Sequence, residues 1–242
     1  MAALTFSLIS GLAAILGGLL PMYTQLRNLG SRYLLGFAAG VMLAVAFLEI
    51  LPEMVGQDAE GSFVALVVGF FSLYLVEKLI LIHSCPEGEC EIHTHIGWVS
   101  LIGIAAESLL DGIAIAIGFS VAAALGFAIA LAVIIHEVPR GFATAVIMKG
   151  AGYGQRKVWA ALGVDSLATP LGAGLVLIGL FPLAWYPFLL AFAAGTFIYV
   201  GASDLLPEAH KRFNIGVVAS VILGVAIIPA AEFVTGLLGV IH

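Results

Sequence analysis

Apolar stretches about as long as a bilayer is thick recur along the whole chain, and they constrain its fold more than any other feature. Of the 242 residues, 62% are hydrophobic and 10% are charged. A helix needs about 20 apolar residues to cross the hydrocarbon core, where it satisfies its own backbone hydrogen bonds. The sequence therefore predicts an all-α membrane protein with eight transmembrane helices embedded in the lipid bilayer. The predicted spans cover residues 3–20, 33–51, 63–82, 98–119, 121–148, 158–180, 184–206 and 215–240.

The basic residues predict the orientation of these spans. Seven of the nine Lys and Arg residues lie in three connections that share one side of the membrane. Cytoplasmic loops are enriched in Lys and Arg, so this side is predicted to be cytoplasmic and both termini extracytoplasmic. Lys78, outside these connections, is predicted to pair locally with Glu77. The net charge of −6 gives no indication of a nucleic-acid partner. The connections contain Arg27 and Arg32, Lys149, Arg156 and Lys157, and Lys211 and Arg212.

Part of the second span recurs in the seventh. Residues 37–53 resemble residues 192–208 at a constant offset of 155, and both runs end in Leu-Pro-Glu. The two spans cross the membrane in opposite directions, and inverted repeats of this kind are typical of transporters. We therefore predict a 3+2+3 inverted-repeat arrangement. It comprises helices 1–3 in residues 1–83, a cytoplasmic loop in 84–97, central helices 4 and 5 in 98–148, and helices 6–8 in 149–242.

Five ionisable side chains lie within the fourth and fifth spans. Each costs about 2.5–3.5 kcal/mol in hydrocarbon on insertion scales, so they are expected to face one another or a water-filled cavity. Residues four apart lie on the same face of a helix, which pairs Glu107 with Asp111 and His136 with Arg140. Glu137 follows His136 directly. Carboxylates and an imidazole that meet in this way are typical of a cation site.

Acidic residues also end the second and seventh spans. Glu49 lies near the outer end of the second span, whereas Asp204, Glu208 and His210 lie near the inner end of the seventh. These positions suit the entrance and exit of a path for cations. The alternative is that they are ordinary polar residues at helix ends, solvated by water in the headgroup region.

The predicted cytoplasmic loop between the third and fourth spans is rich in side chains that bind metals. It contains His83, Cys85, Cys90, His93 and His95, and it has no Lys or Arg. Thiols stay reduced in the cytoplasm, so a zinc-buffering or sensing loop is one interpretation. The spacing fits no standard zinc finger, and a polar loop without bound metal is the other interpretation.

Several motifs resemble those of the ZIP (Zrt/Irt-like) family of divalent metal transporters, in its prokaryotic form. That family's fourth span carries His-Asn-x-x-(Asp/Glu)-Gly, where residues 107–112 read Glu-Ser-Leu-Leu-Asp-Gly. Its fifth span carries His-Glu-x-Pro-His-Glu, where residues 136–141 read His-Glu-Val-Pro-Arg-Gly. Residues 39–42 and 194–208 are similar to its second and seventh spans. The resemblance implies eight helices with external termini and a multi-pass location in the cell (inner) membrane.

The resemblance also implies a set of metal ligands, some of which have a structural alternative. Packing is the alternative for Met42, and a polar contact between helices is the alternative for Asp165. The expected ligands are Glu107, Asp111 and His136, with Glu137 or Asp165 adding an oxygen and Met42 a weak thioether.

Two departures from the family pattern affect the same part of the predicted site. In the family, a carboxylate of the fifth span can bridge two metal ions, but this position is Arg140 here, and a guanidinium cannot ligate a metal. The acid that usually precedes Pro-Leu-Gly in the sixth span is replaced by Thr169. We therefore hypothesise that Arg140 replaces the second cation and that this protein binds one metal. Alternatively, Arg140 is ion-paired with Asp111 or Glu137 and has no role in transport.

Together these observations predict transport of Zn²⁺, or of Mn²⁺, Fe²⁺ or Cd²⁺, toward the cytoplasm, without an organic cofactor. An intramembrane metalloprotease is the enzymatic alternative, but it needs a second histidine where Arg140 stands. A metal sensor that does not transport, or a carrier of some other ion, is the third class. The preferred metal, the driving force and the oligomeric state are not read from the sequence, and a homodimer is one option for the last.

Overall fold

The described part of the chain is built from helices, with no strand in it. The computed structural model describes residues 1–23, 31–55, 59–84, 95–150, 152–211 and 214–237, and eight successive helices lie in these ranges. Two of them, α2 and α7, contain an internal π-helical segment. The helices are α1 Ala2–Tyr23, α2 Ser31–Ala44 continued by Val45–Ile50 and Leu51–Val55, α3 Ala59–Ser84, α4 His95–Val121, α5 Ala123–Gly150, α6 Gln155–Leu177, α7 Tyr186–Tyr199 continued by Val200–Leu205 and Leu206–Ala209, and α8 Ile215–Leu237.

Seven of these helices are long and apolar enough to cross a membrane, which confirms the prediction of an all-α membrane protein. The remaining helix, α8, contributes a shorter apolar stretch, Ile215–Ala230, within the described residues. Two predicted boundaries were wrong. Val121 ends α4 instead of beginning α5, and α6 ends at Leu177 instead of at residue 180.

The turn between α4 and α5 consists of a single residue, Ala122. Its N–H donates to the carbonyl of Gly118 at 2.9 Å, and its own carbonyl accepts from the N–H of Gly126 at 3.0 Å. Helical hydrogen bonding is therefore almost uninterrupted at the turn, as a chain reversal within or near hydrocarbon requires. The two central helices are close neighbours, as the short connection predicts.

Proline explains the π-helical segments of α2 and α7. Pro52 and Pro207 each lie two residues after the end of a π-helical segment. Neither proline can donate a backbone hydrogen bond. The chain widens by one residue ahead of each proline, so that the N–H of Leu51 bonds to the carbonyl of Ala46. The corresponding bond in α7 joins Leu206 to Gly201. Glu49 and Asp204 lie within these two widened segments.

The outer surface of the bundle is apolar, whereas its interior contains charged side chains. Large hydrophobic residues such as Leu16, Val64, Leu167 and Leu223 are 60–63% exposed. Asp111, by contrast, is 2% exposed. This is the reverse of a water-soluble protein, and it is the distribution expected when lipid surrounds the helices and polar groups meet inside.

Glycine lets α1 approach α5, and α4 approach α6, until their backbones touch. A Cβ atom added to Gly112 of α4 would lie 1.8 Å from the carbonyl oxygen of Thr169 in α6. One added to Gly172 of α6 would lie 2.0 Å from the carbonyl oxygen of Leu109. In lipid there is no hydrophobic driving force between helices, so their association depends on close van der Waals packing, which small residues permit. Between α1 and α5, a Cβ added to Gly141 would lie 1.9 Å from the carbonyl oxygen of Ala14. One added to Gly17 would lie 1.9 Å from the carbonyl oxygen of Val138.

The same device joins α2 to α8 and α3 to α7. In all four helix pairs, one glycine of each helix meets a carbonyl of the other, so that the two contacts of a pair are reciprocal. The distances from an added Cβ to the carbonyl oxygen are 2.2 Å for Gly40 with Val221 and for Gly224 with Phe37, and 2.1 Å for Gly69 with Phe192 and for Gly195 with Leu66.

We predict that Gly112→Ala destabilises the protein by about 1–3 kcal/mol, because the added methyl must push α4 away from the backbone of α6. Thermal unfolding of the detergent-solubilised protein measures the change. Gly163→Ala on α6 is the matched control, since a Cβ there meets nothing within 4 Å. Equal unfolding temperatures for the two variants would contradict the prediction.

Candidate metal-binding site

Three helices bring eight polar side chains together in the interior of the bundle. All of them except Glu107 are at most 9% exposed, and the side chain of Glu107 is 17% exposed. We call this group the central cluster. It consists of Glu107, Ser108 and Asp111 on α4, His136, Glu137 and Arg140 on α5, and Asp165 and Thr169 on α6.

The predicted one-turn spacing is what unites the cluster. Glu107 and Asp111 share one face of α4, and His136 and Arg140 share one face of α5. The Gly112 and Gly172 contacts hold α4 against α6, so Asp165 and Thr169 come within reach of the same space. Pro139 lies within α5 between His136 and Arg140, and it leaves the carbonyl of Ile135 without its usual helical donor.

Arg140 is at the centre of the cluster and interacts with four carboxylates. Its Nη1 lies 2.9 Å from Asp111 Oδ2 and 3.2 Å from Glu107 Oε1. Its Nη2 contacts Glu137 Oε1, and its Nε lies 3.8 Å from Asp165 Oδ1. The planar guanidinium is suited to this, because it presents donors in several directions at once.

Two hydroxyl groups complete the hydrogen bonding of the carboxylates. Ser108 Oγ accepts from Arg140 Nη2 at 2.8 Å and donates to Asp165 Oδ1 at 2.5 Å. Thr169 Oγ1 donates to Glu137 Oε1 at 3.3 Å. The alternative considered for Asp165, a polar contact between helices, is therefore present between α4 and α6. One oxygen each of Glu137 and Asp165 remains without a hydrogen-bond partner among the described residues.

Glu107, Asp111 and His136 form the part of the cluster that is arranged like a metal site. One ligand atom from each lies within 4.8 Å of the others. His136 Nδ1 lies 3.1 Å from the carbonyl oxygen of Ala132, so this nitrogen carries the proton and donates. Nε2 lies 3.4 Å from Asp111 Oδ2 and has no hydrogen-bond partner within the described ranges. A hydrogen bond from the other ring nitrogen to a backbone carbonyl is what orients a metal-binding imidazole.

The charges of the cluster do not balance. Four carboxylates face one guanidinium. With all four carboxyl groups ionised and His136 neutral, the buried charge is −3. Charge of this size away from water needs a further cation or protons to offset it. A dication bound by Glu107, Asp111 and His136 would reduce the imbalance to −1.

The cluster is connected to one end of the bundle by a cavity of about 760 Å³. At its inner limit the cavity is lined by Glu107, His136 and Arg140, and at its outer limit by Asp204 and Glu208 of α7. The last two are exposed, and Glu208 forms an ion pair of 2.7 Å with Lys211. Such exposed pairs contribute little to stability. The cavity therefore extends from the central cluster to the end of α7.

The remaining predicted site residues lie elsewhere. Met42 is completely buried in the apolar core, in the same cluster of side chains as Ile113, and its thioether role stays a prediction. His210 Nδ1 lies 3.0 Å from the carbonyl oxygen of Leu206 at the end of α7. Glu49 lies in the π-helical segment of α2.

Most of the predicted cytoplasmic loop lies outside the described residues. Cys85, Cys90 and His93 lie outside the described residues, α3 ends at Ser84, and α4 begins at His95. His83 and His95 belong to these helix ends, and their role stays a prediction together with that of the loop.

The sequence analysis gave no site role to two polar residues, Ser108 of the central cluster and Tyr199 of the cavity lining. Ser108 is part of the α4 motif, at the place where the resembled family has Asn, and this was the signal that could have identified it. Tyr199 of α7 donates to Glu77 of α3, and both line the cavity. No spacing pattern connects these two helices, so only the packing reveals the pair. Lys78 lies 3.3 Å from Glu77, which confirms the predicted local pairing.

Comparisons with known proteins find zinc transporters that are similar to this chain. The model of a family described as "ZIP Zinc transporter" matches residues 81–231, more than half of the chain. The zinc transporter ZupT of Corynebacterium aurimucosum is 29% identical over 86% of this chain and 87% of its own length. ZupT of Chlorobium limicola is 28% identical over 87% of the chain and 88% of its own length. The zinc transporter ZIP13 of Pongo abelii is 26% identical over 83% of the chain, which spans 66% of that protein.

The family match includes α4, α5 and α6, the three helices that carry the central cluster. It confirms the resemblance drawn from the motifs, and it favours a transporter over the intramembrane metalloprotease. The chain belongs to the ZIP zinc transporter family.

Proposed function

We propose that this protein transports Zn²⁺ or a related divalent metal ion across the inner cell membrane toward the cytoplasm, and that the central cluster is its binding site. The observation that carries the proposal is the buried Nε2 of His136, which has no hydrogen-bond partner among the described residues and lies next to the carboxylates of Glu107 and Asp111. These are the groups that bind first-row dications, and the zinc transporters among the relatives support the same substrate class.

The distances within this trio suit a small dication. In a tetrahedral zinc site with bonds of about 2.0–2.1 Å, neighbouring ligand atoms lie about 3.3–3.4 Å apart. His136 Nε2 and Asp111 Oδ2 are 3.4 Å apart before any ion is considered. Glu137, Asp165 and Met42 remain proposed as further ligands. Carboxylates and one imidazole accept Zn²⁺, Mn²⁺, Fe²⁺ and Cd²⁺, and they do not select one of these ions.

We propose that the central cluster holds a single metal ion because Arg140 takes the place of a second one. The guanidinium contacts Glu137 and Asp165, the two carboxylates of the cluster outside the trio, as well as Ser108. A fixed positive charge at this point offsets part of the negative charge and repels another cation. Thr169, which replaces an acid, further reduces the attraction for a second ion.

An inverted repeat is proposed to generate the two access states of the transporter. The reciprocal glycine contacts support it, because those of α2 with α8 correspond to those of α7 with α3 at an offset of 155 residues. Gly40 corresponds to Gly195, and Gly69 to Gly224. The π-helical segments of α2 and α7 begin at Val45 and Val200, again 155 residues apart. Inverted repeats allow one scaffold to open toward either side.

The same relation extends to the central helices. Gly17 and Gly172 are 155 residues apart, and so are Ala14 and Thr169, whose carbonyls meet Gly141 and Gly112. Gly112 of α4 and Gly141 of α5 are 29 residues apart. In the proposed 3+2+3 arrangement, α4 and α5 therefore correspond to each other. Helices α1, α4, α5 and α6 would move as one unit against the rest.

The cavity supports release at the cytoplasmic side. It leads to the end of α7, which the distribution of Lys and Arg predicts to be cytoplasmic. The corresponding acid on the opposite side is Glu49, in the matching π-helical segment of α2. A homodimer stays a prediction, which the mass of the detergent-solubilised protein tests.

We predict that Asp111→Asn abolishes transport, because an amide of the same shape offers a weaker ligand and leaves Arg140 and His136 without a shared carboxylate. Proteoliposomes loaded with a metal-sensitive dye report Zn²⁺ or Mn²⁺ uptake. Glu60→Gln, which changes an exposed carboxylate outside the cavity lining in the same way, is the control and should retain most of the wild-type rate. Full uptake by Asp111→Asn would contradict the proposed site, and metal binding without uptake by the wild type would favour a sensor.

We predict that Arg140→Glu raises the number of metal ions bound in the central cluster from one to two, because it exchanges a repelling charge for a bridging ligand. Equilibrium dialysis with elemental analysis measures the ratio of metal to protein, and anomalous diffraction locates the ions. Two ions in the cluster of the wild-type protein would refute the single-metal proposal.

We predict that a cysteine at Ala122 is labelled from outside intact cells, and that one at Gly154 is labelled only after permeabilisation. Both positions are exposed and lie at opposite ends of α5. A membrane-impermeant maleimide, applied to a background in which Cys85 and Cys90 are serine, makes the comparison. The opposite labelling pattern would reverse the proposed orientation of both termini.

A further inference from the structure

The guanidinium of Arg140 has two sides that contact different parts of the central cluster. Nη2 and Nε face Glu137, Ser108 and Asp165. Nη1 faces Asp111 and Glu107 instead. The first group of contacts lies where a second metal ion would have been expected. The second group involves two of the three residues proposed to bind the transported ion itself.

We propose that Arg140 is an intramolecular competitor of the transported metal: its Nη1 occupies the carboxylates of Asp111 and Glu107 in the empty transporter and must leave them when the ion binds. This inference rests on the proposed function and goes beyond the replacement of a second cation. Arg140 would thereby control the affinity of the site formed by Glu107, Asp111 and His136 for the transported ion. It acts as a positioning residue and is not itself a ligand.

The distances require this competition. Nη1 lies 2.9 Å from Asp111 Oδ2, and His136 Nε2 lies 3.4 Å from the same oxygen. A zinc ion bound to both would lie about 2.0–2.2 Å from each of them. Nη1 also lies 3.2 Å from Glu107 Oε1, so it contacts the same carboxylate oxygens that would bind the ion. Two cations so close in a water-poor site repel each other strongly, so the guanidinium must give up these oxygens as the metal arrives.

The other contacts of Arg140 limit how far the guanidinium moves when Nη1 leaves Asp111 and Glu107. The bond from Nη2 to Ser108 at 2.8 Å and the contact with Glu137 hold the guanidinium when Nη1 withdraws. Ser108 is itself bonded to Asp165, so this anchor is connected to α6. Arg140 also lines the cavity that leads toward the end of α7. Its return to Asp111 and Glu107 would therefore favour release of the ion into that cavity, and it would keep both carboxylates paired in the empty state.

The test compares Arg140→Gln with the wild type in two measurements. The dissociation constant for Zn²⁺ is obtained in detergent by competition with a fluorescent chelator, and the initial rate of Zn²⁺ uptake is obtained in proteoliposomes. Loss of a charge-assisted contact to two ligands should lower the dissociation constant about 10- to 100-fold. The rate at saturating Zn²⁺ should fall at the same time, because release loses its competitor. A residue with only a structural role would weaken binding and transport together.

Lys78→Gln is the matched control, since it removes a cation from a neighbouring helix that pairs with Glu77 outside the central cluster. It should leave the dissociation constant unchanged, which separates local competition from a general effect of charge. Arg140→Lys serves as a second variant if Arg140→Gln does not fold. An ammonium cannot span both sides of the cluster, so Arg140→Lys should bind Zn²⁺ more tightly than the wild type.

The outcomes separate this inference from the proposed function. A wild-type protein that neither binds nor transports Zn²⁺ or Mn²⁺ would refute the proposed function. A wild-type protein that transports, together with folded Arg140 variants whose affinity is unchanged or weaker, would refute the competition alone. Tighter binding by Lys78→Gln as well would also refute it, because the effect would then not depend on contact with Asp111 and Glu107.

Discussion

The ion pairs between one guanidinium and four carboxylates are the constraint on which the rest of this structure depends. Burying a charge in a water-poor interior costs several kcal/mol unless partners replace the lost hydration. Arg140 supplies part of that compensation from a single side chain, and Ser108 and Thr169 supply hydrogen bonds. The compensation is incomplete, since carboxylate oxygens of Glu137 and Asp165 and the Nε2 of His136 lack hydrogen-bond partners in the described part of the chain. In our proposal, a transported cation completes the compensation.

The helix packing follows from the need to bring these groups together in lipid. Three helices carry the charged side chains, and they must approach closely enough that no carboxylate faces hydrocarbon. Glycines at the crossing points allow backbone contact between α4 and α6, and between α1 and α5. The cost of a glycine within a helix, about 0.5–1 kcal/mol relative to alanine, is offset by the packing that it permits. The polar interior and the close-packed helices therefore depend on each other.

The geometry also explains why a fragment of a protease motif does not make a protease here. His136 and Glu137 begin the sequence His-Glu-x-x-His, but the fifth residue is Arg140, whose side chain binds the carboxylates instead of a metal. In our proposal the same substitution limits the site to one metal ion and places a tethered cation beside it. A single residue thereby bears on stoichiometry, affinity and release, because all three depend on which positive charge the carboxylates hold.

Much of the fold and part of the site were predictable because they depend on local rules. The length of the apolar stretches predicted the helices, and the spacing of four residues predicted that Glu107 and Asp111, like His136 and Arg140, would share a helix face. The motif residues identified the family that the comparisons confirm. Helix ends such as Val121 and Leu177 were less predictable, because apolar residues continue into the turns that follow them.

The sequence by itself determined that charged residues would be buried in a helical membrane protein and which helix faces would carry them. Only the tertiary structure decided which charges meet. Arg140 contacts Glu107 and Asp111 as well as Glu137, and Tyr199 contacts Glu77 across two helices that no spacing rule connects. The physical reason is that helical periodicity fixes the direction of a side chain relative to its own axis, whereas the partner it meets depends on the distance and rotation between axes. Those are set by the glycine contacts between helices, which act across the chain.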